Sequence, residues 1–308
     1  MMSKLQAKNT GLLTNVDLKG AKGKTVYWVF FSILLLCCLM TLLPAIWTVF
    51  TALKDTNEIY TSTSFFPKHL SWNIVVTRVK DSWNQLKFGR SILNTFFFSI
   101  MQLIFKLAVC MFAGYTFSKL KPKGSKIVFA LILWTMMMPS QMRTVPNYIS
   151  FLSFPFASRT EFGIGINLLD TYWPLWLGGA VDAFAIMLFK NAFDSVSDSI
   201  VEAAMIDGAG KLKIFIQIVV PLCTPIIIYE SIMTLSGAWS NFFGPYLIIQ
   251  NTAKQLLPAK IFLMGNDGTV KRNTYLMGLI IGSIPQLVIF ACFKKHIMGG
   301  INVGAVKG

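Results

Sequence analysis

Glu202-Ala203-Ala204-Met205-Ile206-Asp207-Gly208-Ala209-Gly210, followed by Pro221 and Pro225, lies between two long apolar runs of a 308-residue chain. The stretch reads as a helix-turn-helix built from small and polar residues. Asp207-Gly208 is turn chemistry, because glycine takes the positive φ that ends one helix and starts the next. Ala203 and Ala204 remove side-chain bulk, so another protein's surface can approach the helix backbone closely. Glu202 offers a charge to an arginine or lysine of that partner. Between two apolar runs, such an element is displayed for docking.

The runs on either side make this an all-α integral membrane protein. Apolar residues are 54% of the chain and charged residues 13%, about half the charged share of a soluble domain. The apolar residues collect into stretches long enough to cross a bilayer, which takes about 20 residues of helix. Six spans are expected: Val26 to Phe50, Ile92 to Phe117, Ile127 to Tyr148, Tyr172 to Phe189, Ile216 to Ala238 and Thr274 to Phe293. A further stretch, Phe242 to Met264, is interrupted by Pro245, Asn251, Lys254 and Pro258, and reads as re-entrant or interfacial. The organisation expected is an N-terminal cytoplasmic segment (1–25), a membrane domain (26–293, with its docking loop at about 190–215) and a cytoplasmic tail (294–308).

The formal charge of +15 does not signal nucleic acid, because the lysines and arginines flank apolar runs and set topology. Lys4, Lys8, Lys19, Lys22 and Lys24 precede the first span, and Lys119, Lys121, Lys123 and Lys126 crowd the second connection without an acid. Both segments therefore read as cytoplasmic, as does the C-terminus, and the Glu202 element then faces the cytoplasm. The run from Val26 is too long for a signal-peptide core and reads as a retained span. Cys37, Cys38, Cys110, Cys223 and Cys292 form no C-x-x-C, and His69 and His296 are the only histidines, so no metal site and no catalytic site is expected.

The ordered motifs resemble one known family. Glu202-Ala203-Ala204 with Gly208, then Ile218 and Pro221, resembles the coupling loop of ABC importer permeases. Phe66-Pro67, Trp72-Asn73, Asn94-Thr95, Ala113-Gly114-Tyr115 through Lys119 and Gly124, Pro139, Pro146, Leu169 to Tyr172, and Ala238-Trp239-Ser240-Asn241-Phe242 resemble successive landmarks of the carbohydrate-uptake branch, related to the maltose and lactose systems. The ending Gly304-Ala305-Val306-Lys307-Gly308 is similar to that of the partner with a C-terminal tail. Ser197 departs from a proline common before the coupling helix, and Val220 from a leucine before Pro221.

The resemblance implies a type I importer permease with both termini cytoplasmic. It implies a second homologous permease, two ATPase subunits holding ATP and Mg, and an extracellular sugar-binding protein. Gly20 to Thr25 is no phosphate loop, since Leu18 stands where the spacing needs glycine. The coupling residues are then Glu202, Ala203, Ala204, Asp207, Gly208 and Ala209, on a helix from about Asp194 to Ile206, and the tail Gly304, Ala305, Val306, Lys307 and Gly308 adds ATPase contacts. Lys106, Asp182 and Glu230 are ionisable residues within apolar spans, where a mid-bilayer charge costs about 2.5–3.5 kcal/mol and must face protein or water. Lys106 is expected to pair with one acid, leaving the other for sugar hydroxyls or for the second permease. Trp173 and Trp176 read as interface anchors or as sugar-stacking rings. The rival readings are an ABC permease for a non-sugar solute, a secondary transporter using the buried acids as ion sites, and an intramembrane enzyme, for which the sequence offers no nucleophile–base or metal pairing.

Overall fold

The computed structural model describes residues 21–154 and 165–300. The tail Gly304 to Gly308 and the first basic residues lie outside the described residues. In chain order the helices are α1 (Ala21–Leu53), α2 (Thr56–Thr61), α3 (Trp72–Leu86), α4 (Phe88–Tyr115), α5 (Ser125–Trp134), α6 (Thr144–Leu152), α7 (Trp173–Ala180), α8 (Ala183–Asp194), α9 (Asp198–Ile206), α10 (Lys211–Ile214), α11 (Val220–Leu222), α12 (Thr224–Ser240), α13 (Phe243–Ile248), α14 (Leu257–Asn266) and α15 (Arg272–Gly300). Single π-helical turns follow α4 (Thr116–Leu120) and α10 (Phe215–Val219). The only β-pairing among the described residues is one bridge, Phe154 to Ile166.

Among the described residues three helices are long and apolar enough to cross a membrane: Gly23–Leu53, Phe88–Leu120 and Arg272–Lys294. Two bent pairs raise the number to as many as five if each is one span: Trp173–Ala180 with Ala183–Asp194 at 43°, and Lys211–Leu222 with Thr224–Ser240 at 79°. The expected third span, Ile127 to Tyr148, is not one continuous helix. It stops after the short turn Thr135–Met137, and Met138 is extended (ψ 121°). The cause is Pro139, whose ring pushes the preceding residue out of the helical region. The 79° bend falls at Cys223, between Pro221 and Pro225, neither of which can donate to a helix ladder. Residues 242–264 form α13 and α14, both too short to span, and Pro258 opens α14 at a position where its missing N–H costs nothing.

The described residues fall into two compact units, 21–78 with Lys271–Met277, and 79–270 with 278–300. In the first, α1 is apolar on every side, and none of its most apolar window is buried within the chain, which suits a helix facing lipid. Phe50, Phe65 and Phe66 pack edge to face at 4.9–5.6 Å. Arg78 pairs with Asp55 at 2.7 Å, and the buried Lys54 donates to the Ser64 carbonyl.

In the second unit α4 is the central helix, packed on α7, α8 and α12. Its close fit to α8 depends on Gly114. A Cβ there would lie 2.7 Å from Phe189 Cβ and 3.0 Å from the Lys190 amide nitrogen. Small residues at such crossings let membrane helices reach van der Waals packing, which replaces the hydrophobic drive absent in lipid. Around this crossing Tyr115, Phe189, Phe193, Ile214 and Phe215 form the main core, with Phe215 against Tyr115 at 4.8 Å and Phe112 at 4.9 Å.

Candidate functional site

The Glu202 element is α9 and the turn after it. The structure ends the helix as Asp207-Gly208 led one to expect, with Gly208 at φ +78°. Gly208 N–H donates to the Met205 carbonyl and Ala209 N–H to the Ala204 carbonyl, each at 3.0 Å. This pair of bonds is the Schellman closure, which satisfies carbonyls that the last turn leaves open.

At its other end α9 begins at Asp198 rather than near Asp194, because α8 continues to Asp194 and the backbone turns at Val196-Ser197. Ser197 makes no side-chain cap; its hydroxyl bonds Ser199 instead. The start of α9 is held from outside. Lys119 donates to the Val196 carbonyl and to Asp198 Oδ1, both at 2.6 Å. Ser118 donates to Asp194 Oδ1 at 2.7 Å. The Lys119 hydrogen bond and charge hold the Asp198 carboxyl below its usual range.

Sequence reasoning took Lys119 for a topology signal and missed this anchor. A basic residue just after a span looks the same in either role. The reading of the two alanines also needs correction. Glu202 and Ala203 are exposed, but Ala204 is buried and packs with Val201 into the core. The i, i+3 spacing of those two residues marks the inward face. The outward face instead carries Ile200, Met205 and Ile206, the last 86% exposed. It is an apolar ridge beside the exposed Glu202.

Lys106, Asp182 and Glu230 come together. The ammonium of Lys106 is 2.8 Å from Asp182 Oδ2 and 3.1 Å from Glu230 Oε2, so it serves both acids rather than one. The contact to Glu230 is an ion pair at that distance, and Oε2 makes no hydrogen bond. Asp182 is not in mid-helix. It caps α8 at the 43° break, with Oδ1 accepting from the amides of Phe184 and Ala185 at 2.9 and 3.2 Å. A carboxylate suits the positive end of a helix.

Lys106 and Asp182 line a cavity of about 660 Å³ between α4, α6, α7, α12 and α13. Glu230 does not line it, and only 2% of its side chain is exposed. Gln102, Arg143, Thr234 and Asn241 bring further polar groups to the wall, and the glycines 178, 179, 237 and 244 leave it room. Trp176 is buried, donates from Nε1 to the Phe98 carbonyl at 3.2 Å and stacks on that ring. It is therefore a packing residue, and neither it nor Trp173 lines the cavity.

A broken helical scaffold around a cavity, with a short exposed helix fixed at both ends, is the arrangement of an ABC importer permease. The same fold occurs in a bacterial ABC transporter involved in the import of the acidic polysaccharide alginate. One of its chains matches with a TM-score of 0.70 at 19% identity, over 90% of this chain and 98% of that one. This chain belongs to the binding-protein-dependent transport system inner membrane component family, which its residues 106–297 match. Its relatives include the probable ABC transporter permease protein YurM of Bacillus subtilis (strain 168), 26% identical over 93% of this chain and 89% of the relative. The melibiose/raffinose/stachyose import permease protein MelC of the same organism is 28% identical over 84% and 88%.

Proposed function

We propose that this chain is one of two permease subunits of an ABC importer that carries a carbohydrate into the cell. The observation that carries the reading is the ridge of Ile200, Met205 and Ile206 beside Glu202, exposed on a helix whose two ends are locked by the Schellman turn and by Lys119. A locked helix moves as a rigid body, so a push on the ridge reaches α8 and α4 instead of dissipating in a loop. In this reading two ATPase subunits, holding ATP and Mg, dock on this ridge and its counterpart in a second homologous permease. The tail Gly304 to Gly308 adds ATPase contacts. An extracellular binding protein delivers the sugar.

The chain crosses the plasma membrane six times with both ends in the cytoplasm, the interrupted third segment and both bent pairs each counting as a crossing. The lysines 119, 121, 123 and 126 support that orientation, because α9 is tied directly to Lys119. The carbohydrate assignment leans on the relatives' substrates and on a cavity wall rich in amide and hydroxyl groups. Purification after mild solubilisation is expected to bring an ATPase and a second permease with this chain. A cysteine placed by Ile206→Cys is expected to crosslink to that ATPase. Labelling of the same cysteine from the outer medium, or a complex that imports no carbohydrate from a broad panel, overturns the reading.

A further inference from the structure

Two buried side chains on the cavity wall have nothing to bond. Gln102 Nε2 and Thr234 Oγ1 are each without a hydrogen-bond partner among the described residues, although both side chains are more than nine-tenths buried and both line the cavity. Leaving a buried donor unmade costs free energy, so each group is short of a partner that the rest of the chain does not supply.

Thr234 departs from its own helix. Ser231 and Ser240 on α12 turn their hydroxyls back to the carbonyls of Ile227 and Ser236 at 2.7 and 2.9 Å, as hydroxyl residues in apolar helices do. Thr234 makes no such bond, and its hydroxyl is left without a partner beside the cavity. Gln102 is held in place by a missing side chain. A Cβ at Gly179 would sit 2.4 Å from Gln102 Nε2 and 2.9 Å from Cδ, so the amide occupies the space the glycine vacates.

The charged groups are in the opposite condition. Lys106 is shared by two carboxylates, Asp182 divides its oxygens between Lys106 and the end of α8, and Glu230 is off the wall. They are committed to one another.

We infer that Gln102 and Thr234 are the specificity-determining residues of this permease, reading hydroxyl groups of the sugar in transit, while the Lys106 cluster is structural. The inference rests on the carbohydrate reading above. A polyhydroxylated ring supplies the acceptors and donors that both side chains lack. A site built to bond a hydroxyl rejects an analogue without it, because its own buried group is then left unpaired.

The test uses the whole importer in proteoliposomes with ATP inside, offered a broad panel of carbohydrates that includes raffinose, maltotriose and trigalacturonate, followed by monodeoxy analogues of whichever is imported. Assembly of each variant is read by co-purification of its partners. Gln102→Leu and Thr234→Val are expected to lower initial import about three- to tenfold, the loss of one buried hydrogen bond. Thr234→Ser keeps the hydroxyl and should import normally. Thr234→Val should also lose discrimination against a deoxy analogue that the unmodified importer rejects. Should Gln102→Leu prevent assembly, Gln102→Asn, whose amide stops short of the cavity, is read in the same way. Unchanged rates and discrimination in both variants, or equal loss in Thr234→Ser and Thr234→Val, overturn the inference and leave the carbohydrate reading standing. Failure of the unmodified importer to take up any of the sugars overturns that reading, and the inference with it.

Discussion

The ammonium of Lys119 lies 2.6 Å from the carboxylate of Asp198, joining the turn after α4 to the first residue of α9. The same ammonium donates to the Val196 carbonyl, and 8% of the lysine side chain is exposed. A single side chain thus ties the start of α9 where it leaves α8. Lys119→Met should leave the complex assembled but uncouple it, with ATP hydrolysis no longer rising when loaded binding protein is added. Lys119→Arg should retain most of the response. A normal response in Lys119→Met would show that α9 is held from elsewhere.

The same pair predicts a pH dependence. Lys119 depresses the Asp198 carboxyl by hydrogen bond and charge. A depressed carboxylate stabilises the fold above its unfolded pKa and loses that contribution as pH falls through its folded value. The tether should therefore hold at neutral and mildly acidic pH and loosen only below the ordinary carboxylate range. Amide exchange in α9, measured against pH, should accelerate there. Asp198→Asn should exchange faster at neutral pH and lose that acid-side step.

Gly208 closes α9 in the left-handed region, with open space around its missing side chain. Gly208→Ala then suffers backbone strain and no clash, at about 1–2 kcal/mol. Gly208→Asn should be milder, since asparagine tolerates that conformation. Thermal denaturation of the solubilised complex and exchange at Met205 and Ile206 check the order glycine, asparagine, alanine.

How much of this was legible depends on what each feature requires of its neighbours. Gly208 was readable because a turn is a local matter. The apolar runs of α1, α4 and α15 were readable because length alone decides them. Pro139 and Pro221 were visible too, yet as landmarks of a resemblance rather than as breaks, so the expected third span runs past the break at Met138. The inward turn of Ala204, the Lys119 anchor and the room Gly179 leaves for Gln102 depend on which helices meet, and no local pattern carries that. Lys106, Asp182 and Glu230 stood out as costly charges. That Lys106 would pair with one acid was expected; that it serves both, with the three residues coming from three different elements, emerged only in three dimensions.

Two glycines on α4 should behave oppositely. Gly114→Ala places a Cβ against Phe189 Cβ and the backbone of Lys190, neither of which yields easily, so overpacking should cost about 1–3 kcal/mol. Gly89→Ala meets nothing within 4 Å and should be neutral or stabilising by up to about 1 kcal/mol, the helix preference of alanine over glycine. Melting temperatures of the two variants in one detergent decide the matter. Equal shifts would mean that α4 and α8 pack less tightly at Gly114 than their backbones indicate.

Removing the cation from the buried cluster should be worse than removing the cluster. Lys106→Leu leaves Glu230, with 2% of its side chain exposed, facing Asp182 with no opposite charge between them. Breaking a buried pair from one side costs about 3–5 kcal/mol, whereas replacing all the charges with neutral groups of similar size is often tolerated. Lys106→Leu should therefore assemble poorly, Lys106→Leu with Glu230→Gln should recover much of the loss, and adding Asp182→Asn should recover more, since an asparagine can still cap α8. Recovery of import along with assembly in the triple variant would assign the cluster to packing. Recovery of assembly without import would return these residues to the sugar's path, and would do so whatever Gln102 and Thr234 contribute.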